Sequence, residues 1–190
     1  MKKQIKRLLF LGVALSFSSM AYAGSTTIDF EQYTQFTQIT NQYTSDFVTF
    51  ENALQLVAPD YDYFDLPPHS GSGVITNDPI DPIQVNFLGP VFDVNGWYAD
   101  PNGITVTAFD AGNNVLDTFN GAIAYGSDAE FSVASGTPIA YITISDVGGS
   151  PDAEIVDDLS FTVTPEPGSF LLFGTGLLGL AGVLRRKFAR

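Results

Sequence analysis

Residues 104–119 read ITVTAFDAGNNVLDTF. Ile104, Val106 and Ala108 alternate with Thr105, Thr107 and Phe109, the period of a strand with one face buried and the other half polar. Asp110-Ala111-Gly112-Asn113-Asn114 then joins this strand to the next, VLDTF, with Gly and Asn residues that tolerate positive φ. The stretch is a β-hairpin, and its spacing recurs along the chain. Phe47–Phe50, Ile83–Leu88, Asn114–Phe119, Glu130–Val133, Ile139–Ile144 and Leu159–Val163 are further short alternating or apolar segments separated by turn residues. That pattern predicts an all-β, antiparallel β-sandwich. The proline-rich stretches Pro59–Pro68 and Asp78–Pro82 are loops, because proline donates no ladder hydrogen bond. Asn52–Val57 is the one segment read as helical.

Charge divides the 190 residues sharply. All eight basic side chains lie at the ends: Lys2, Lys3, Lys6, Arg7, Arg185, Arg186, Lys187 and Arg190. Residues 24–164 hold none of them and 20 of the 21 acids, a formal charge of −20. Nucleic-acid affinity comes largely from Lys and Arg displacing condensed counterions, so nucleic acid is excluded as a partner of this body. Cations are favoured, since self-repulsion on this scale weakens a compact state until salt or metal offsets it. There is no Cys, so neither disulfides nor thiolate metal sites arise. About 140 residues suit one domain with one core.

The ends carry targeting signals. In residues 1–23 a basic start precedes the apolar run Leu8–Phe17 and the small-residue site Ala21-Tyr22-Ala23, as in a secretory signal peptide cut by signal peptidase before Gly24. At the other end, Pro165-Glu166-Pro167 precedes an uncharged run at 168–184, capped by Arg185-Arg186-Lys187. Seventeen residues of helix reach about 26 Å at roughly 1.5 Å each, within the range that spans a bilayer. The bases place that transmembrane helix with its end in the cytoplasm and the acidic body outside.

This three-part tail resembles the PEP-CTERM sorting signal of Gram-negative, biofilm-forming bacteria. The resemblance rests on Pro165, Glu166 and Pro167, on GTGLLGLAG at 174–182, and on Arg185, Arg186 and Lys187. It implies passage through the inner membrane, recognition and cleavage by an exosortase, and delivery to the cell surface or extracellular matrix. Residues 165–190 are then the sorting signal and 24–164 the delivered domain. TIDFE at 27–31, the 104–119 hairpin and EIVDDLSFTV at 154–163 are similar to the jelly roll of galactose-binding-like and carbohydrate-binding modules. In some of those modules an acidic first strand and an Asp on the last share a structural calcium, which by resemblance makes Asp29, Glu31, Asp157 and Asp158 candidate ligands. Calcium takes six to eight oxygens, and this set supplies three or four. The same residues read equally as solvated carboxylates at strand ends.

The remaining candidates are less specific. Asp146, Asp152 and Glu154 form a second acidic group, and Asp60, Asp62 and Asp65 a third that lacks the Gly and distal Glu of an EF-hand. His69 is the only histidine, and HSGSG at 69–73 is not the Gly-x-Ser-x-Gly elbow of a serine hydrolase. Trp97 and Tyr98, with Tyr61, Tyr63 and Phe64, can stack on sugar rings of an exopolysaccharide; alternatively Trp97 packs in the core beside Phe92 and Val94. No catalytic constellation stands out. The sequence therefore points to a surface or matrix protein of structural or adhesive role, with carbohydrate recognition as the alternative and a secreted hydrolase third.

Overall fold

The computed structural model describes residues 24–62, 64–77, 82–148 and 154–164, with Gly176 and Gly179. Residues 1–23, read as a signal peptide, the motif Pro165-Glu166-Pro167, the basic cap Arg185-Arg186-Lys187 and, those two glycines apart, the segment 168–184 read as a transmembrane helix lie outside the described residues. Among the described residues no helix is long and apolar enough to cross a membrane. Residues Ala23–Pro165 make one compact unit.

That unit is all-β and antiparallel. Its strands are β1 (Gly24–Ile28), β2 (Gln38–Ile39), β3 (Val48–Glu51), β4 (Ala53–Val57), β5 (Gly73–Asn77), β6 (Ile83–Asp100), β7 (Ile104–Phe109), β8 (Val115–Asn120), β9 (Ala124–Asp146) and β10 (Ile155–Val163). The ladder runs β2-β4-β5-β10-β6-β9-β7-β8, with β1 on β10 and β3 on β6. The 104–119 hairpin forms as read, pairing Thr105 with Asn120 and Phe109 with Val115. Asp110 organises its turn by accepting the N–H groups of Gly112 (2.8 Å) and Asn114 (2.9 Å), and Asn113 takes φ 63°.

Two strands are longer than the sequence suggests, and they make the sandwich. β6 runs 18 residues through Gly89-Pro90, and β9 runs 23 through Gly136-Thr137-Pro138. These breakers fall where the β6–β9 ladder loses register, between Asn86/Tyr141, Val91/Ile139 and Asp93/Ala134, so neither proline is asked for a ladder N–H there. The start of β6 and end of β9 join β3, β7 and β8. The other halves of β6 and β9 stay paired, and β6 there also pairs with β10, which carries β1 and leads through β5 and β4 to β2. Strands that switch sheets at a bend are a standard corner of such sandwiches. Both layers turn their apolar faces into one core: Val85, Phe87, Val106 and Ile142 from the first, Val94, Phe131, Leu159 and Phe161 from the second. Phe87 meets Phe161 across the layers at 5.0 Å between ring centroids. Gly96 leaves room for Phe131, whose ring would lie 2.8 Å from any added Cβ.

Asn52–Val57 is not helical. Ala53–Val57 pair residue by residue with Asn77–Gly73 of β5, and Ala53 and Leu54 with β2. A six-residue helix would be marginal alone, whereas five ladder pairs with Ala53, Gln55 and Leu56 buried outweigh it. Pro59–Pro68 contains no strand among its described residues. It crosses the outward face of the second layer, where Tyr61 and Leu66 cover a smaller cluster of Leu56, Val74, Ala99 and Ile155.

Candidate functional site

The first and last strands meet. Gly24–Ile28 pair with Val163–Leu159, and the Thr27 and Ser160 hydroxyls lie 2.7 Å apart. β10 then carries one irregular residue, Asp158, at φ 45°, where its pairing with β6 shifts register. The extra residue resets the alternation, so Asp157 points outward with Ile155 while Leu159 and Phe161 face the core. Asp29 and Glu31 follow β1, and the Glu31 N–H reaches the Asp29 carboxylate at 3.3 Å.

Between the two acidic pairs lies the segment His69–Gly73, a strap held by carboxylates. Glu31 accepts the N–H groups of Ser72 (2.8 Å) and Gly73 (2.6 Å) and the Ser72 hydroxyl (3.2 Å). Asp157 accepts the Ser70 N–H at 2.9 Å, and the Ser70 hydroxyl donates to Asp158 at 3.1 Å. Gly71 is required here twice over: its φ is +50°, and a Cβ would stand 2.3 Å from Glu31 Oε1. The strap thus brings Glu31 and Asp157 to neighbouring backbone donors and Asp158 to the Ser70 hydroxyl. Among the described residues no group of three or more His, Cys, Asp or Glu side chains is placed to hold a metal ion.

Asp157 is 2% exposed. Burial is the main reason its pKa rises to about 6, with Asp158 adding repulsion; the N–H bonds from Ser70, Asp158 and His69 pull the other way without prevailing. Burial likewise holds the Tyr61 hydroxyl above its ordinary range, and the charges of Asp157 and Glu31 reinforce it.

The aromatic candidates separate. Tyr98 belongs to the core at 3% exposure and donates its hydroxyl to the Ala122 carbonyl at 2.9 Å. Trp97, one residue earlier, faces outward and is partly exposed, not packed in the core. It pairs across the sheet with Glu130 on β9 and Asp157 on β10, and the adjacent row is Ser132, Asn95, Ser160 and Thr27. The His69 imidazole lies flat on the indole, with centroids 3.6 Å apart and planes 5° from parallel, and its Nδ1 is hydrogen-bonded to Asp128. No hydroxyl or thiol nucleophile joins this His–Asp pair among the described residues. Phe64 is 76% exposed, and Tyr63 lies outside the described residues.

The other acids organise loops. Asp65 ties its loop to β9 by accepting the Tyr125 hydroxyl. Asp146 accepts the Gly148 N–H at 2.9 Å, Glu154 is fully buried, and Asp152 lies outside the described residues. Asp100, also fully buried, accepts the Asn102 and Gly103 N–H groups, and burial leads the rise of its pKa. Sequence reading missed Asp128 and the strap donors. The signal for the donors was HSGSG itself, whose small residues and positive-φ glycine present several N–H groups to anions.

A jelly-roll-like antiparallel sandwich with an outward-facing tryptophan under an anion-held strap is the class of structure these elements define. Residues 163–187 match the PEP-CTERM protein-sorting motif, which indicates export and sorting to the cell envelope of a Gram-negative bacterium. No curated protein sequence matches the chain. Among solved structures the chain is similar to the K2 cleaved adhesin domain of Lys-gingipain, at 15% identity and TM-score 0.52 over 74% of this chain and 100% of that one. Weaker likenesses link it to a family 35 carbohydrate-binding module from Clostridium thermocellum (12%, 0.42, covering 73% and 98%) and to the CBM22-1 xylan-binding domain of Paenibacillus barcinonensis Xyn10C (8%, 0.44, covering 78% and 100%). At 15% identity, the property shared with the adhesin domain is the fold.

The Asp157 environment sets a pH dependence. Its folded-state pKa of about 6 lies above the 3.8 of an ordinary aspartate, so its contribution to stability is complete below pH 3.8 and is lost as pH rises through 6. The melting temperature of the 24–164 body is expected to rise from pH 7 to pH 5. Asp157→Asn should flatten most of that slope; an unchanged slope in the variant would assign it to general charge repulsion.

Proposed function

We propose that the protein is an exported, exosortase-processed component of the cell surface or extracellular matrix, with a non-catalytic sandwich of structural or adhesive role in biofilm or exopolysaccharide. Signal peptidase removes the leader, and the tail holds the chain transiently in the inner membrane. The observation that carries this reading is the junction: the sorting motif starts at Val163, the last residue of β10. Cleavage near Pro165 therefore separates the tail without removing a strand. Deleting residues 185–190 is expected to leave the body unprocessed or mislocalised. Cell fractionation showing the same destination and mass as the wild type would refute the proposal.

A second reading, recognition of an exopolysaccharide, is favoured by Trp97. Aromatic faces suit the apolar faces of sugar rings, and Asn95, Ser132, Ser160 and Glu130 offer hydroxyl partners beside it. A polyanionic glycan would meet repulsion from a body with no basic side chain. Glycan-array binding by the wild type that is lost in Trp97→Ala is the expected outcome, and binding unaffected by the substitution would remove Trp97 from the reading.

Calcium remains a proposal on the −20 charge of the body and on Glu31, Asp157 and Asp158 at the strap, with Asp29 bonded to the Glu31 N–H. A cation that binds only the folded state stabilises it by RT ln(1 + [L]/Kd), about 2.7 kcal/mol at one hundred times Kd. Millimolar calcium is expected to raise the melting temperature more than ionic-strength-matched sodium does, and Asp158→Asn to remove most of the excess. Equal shifts in both salts would reduce the effect to screening.

A further inference from the structure

In the first layer, alternation sends Val85, Val106, Ile142 and Ile144 into the core, so the residues between them stand on its outer face. Cross-strand register lines these residues up. Thr118 on β8, Thr107 on β7, Thr143 on β9, Gln84 on β6 and Glu51 on β3 are successive partners in one row across five strands. Thr105 and Ser145 pair on one side of that row, and Phe109 and Tyr141 on the other. A body with 20 acids places a single one among them. It is Glu51, at the β3 end, where Asn86 Nδ2 donates to it at 3.1 Å and Gln84 Nε2 reaches Asn86 Oδ1 at 2.8 Å. The rest of the row is hydroxyl and amide. Thr118 is exposed and Thr107 and Thr143 partly so, and among the described residues no hydrogen bond within the protein engages their hydroxyls. The Phe109 and Tyr141 rings are stacked on each other, with centroids 4.7 Å apart and planes 10° from parallel, and the Tyr141 hydroxyl donates to Asn113 at 3.1 Å.

We propose that the outer face of the first layer binds an extended, uncharged polysaccharide. Threonine hydroxyls both donate and accept, as sugar hydroxyls do, and an aromatic pair beside the row offers the apolar face of a sugar a place to stack. Charge selects among polymers. A polyanion is repelled by a body with 20 acids and no basic side chain, and a polycation has more to gain from the acids elsewhere than from a face with one. A second copy of the chain fits less well, because protein interfaces centre on apolar and aromatic side chains, and threonines hold the centre here. Adjacent strands lie about 4.8 Å apart, so the row from Thr118 to Gln84 spans about 14 Å. Each neutral hydrogen bond has a small net worth, and a ligand must lie along the row to collect several at once. A polymer does so and a short glycan does not. Trp97 stands on the outer face of the other layer, so the two sites are separate and neither proposal rests on the other.

Affinity electrophoresis of the full-length chain through gels containing polymer tests this directly. Hydroxyethylcellulose, galactomannan and dextran serve as neutral probes and alginate as the polyanion. At least one neutral polymer is expected to retard the chain, equally at low and high salt, while alginate does not. Retardation should survive Trp97→Ala. The double variant Thr107→Val with Thr143→Val keeps both β-branched shapes and removes two hydroxyls; its affinity should fall about tenfold or more, with an unchanged melting temperature. Thr107→Ser with Thr143→Ser, which restores the hydroxyls, should bind as the wild type does. Failure of all three neutral polymers, retardation by alginate, or retardation abolished by salt would overturn the proposal. So would binding that is lost in Trp97→Ala and kept in the double Thr→Val variant, since that result places the polymer on the other layer. A dimer in sedimentation whose strength changes in the double Thr→Val variant would assign the face to a second copy and overturn it as well.

Discussion

Between Gly24 and Thr164 no side chain carries a fixed positive charge, so each of the 20 carboxylates must be satisfied by water, by N–H and O–H donors, or by cations from outside. The fold answers with backbone amides. Glu31 holds Ser72 and Gly73, Asp100 holds Asn102 and Gly103, Asp110 holds Gly112 and Asn114, Asp117 holds Ala134, and Asp146 holds Gly148. In most proteins some of these acids would pair with Lys or Arg. Here they become turn organisers, each fixing a loop between or beside strands. A carboxylate accepting two or three N–H groups is stabilised in its charged form, as the lowered pKa of Asp110 shows, its Asn114 side-chain bond being the largest cause. Where burial is deep, as at Asp157 and Asp100, desolvation overrides the same bonds and the pKa rises instead.

The same constraint explains why three of the four acids assigned by resemblance to calcium, Glu31, Asp157 and Asp158, hold a strap. Glu31 and Asp157 have oxygens committed to amides two residues apart on one segment. An N–H donor and a cation stabilise a carboxylate in the same direction but ask for different geometry: amides need one carboxylate each, whereas calcium needs several oxygens converging on a point. The strap supplies the first arrangement. Its serines and glycines follow from that role, with Gly71 at positive φ turning the amides toward the acids and the serine hydroxyls adding donors.

The local elements were legible in the sequence and the long-range ones were not. The 104–119 hairpin follows from alternation and turn chemistry inside sixteen residues, and the strand assignments near Val48, Ile83, Ile139 and Leu159 rest on the same short-range signal. Asn52–Val57 misled because five apolar or neutral residues fit helix and strand alike, and the ladder to β5 decided it. Gly89-Pro90 and Gly136-Thr137-Pro138 read as breaks, since a sequence does not show that two interruptions will lie opposite each other and let both strands continue around a corner. Trp97 and Tyr98 read as a pair, yet alternation sends them to opposite faces. Which one goes inward was set by register, with Val94 and Tyr98 on the core side. The contact of His69 with Trp97, and that of Asp128 with His69, join residues far apart in the chain and leave no periodic trace.

The placement of β10 links the fold to the handling of the chain. It lies between β6 and both β1 and β5, so the second layer is incomplete until the last strand is in place. Gly24 and Val163 are direct cross-strand partners, so the first and last strands of the domain close side by side. In the proposed reading the chain crosses the inner membrane amino end first, and its final strand is followed immediately by the sorting segment. The sandwich then closes only when the whole body has emerged and the tail has reached the membrane. Thr164 still donates its N–H to the Pro90 carbonyl at 2.8 Å, so the ladder is secured up to the residue before the Pro-Glu-Pro motif. A cut placed after that point meets a completed domain, and this is the arrangement that a removable tail requires.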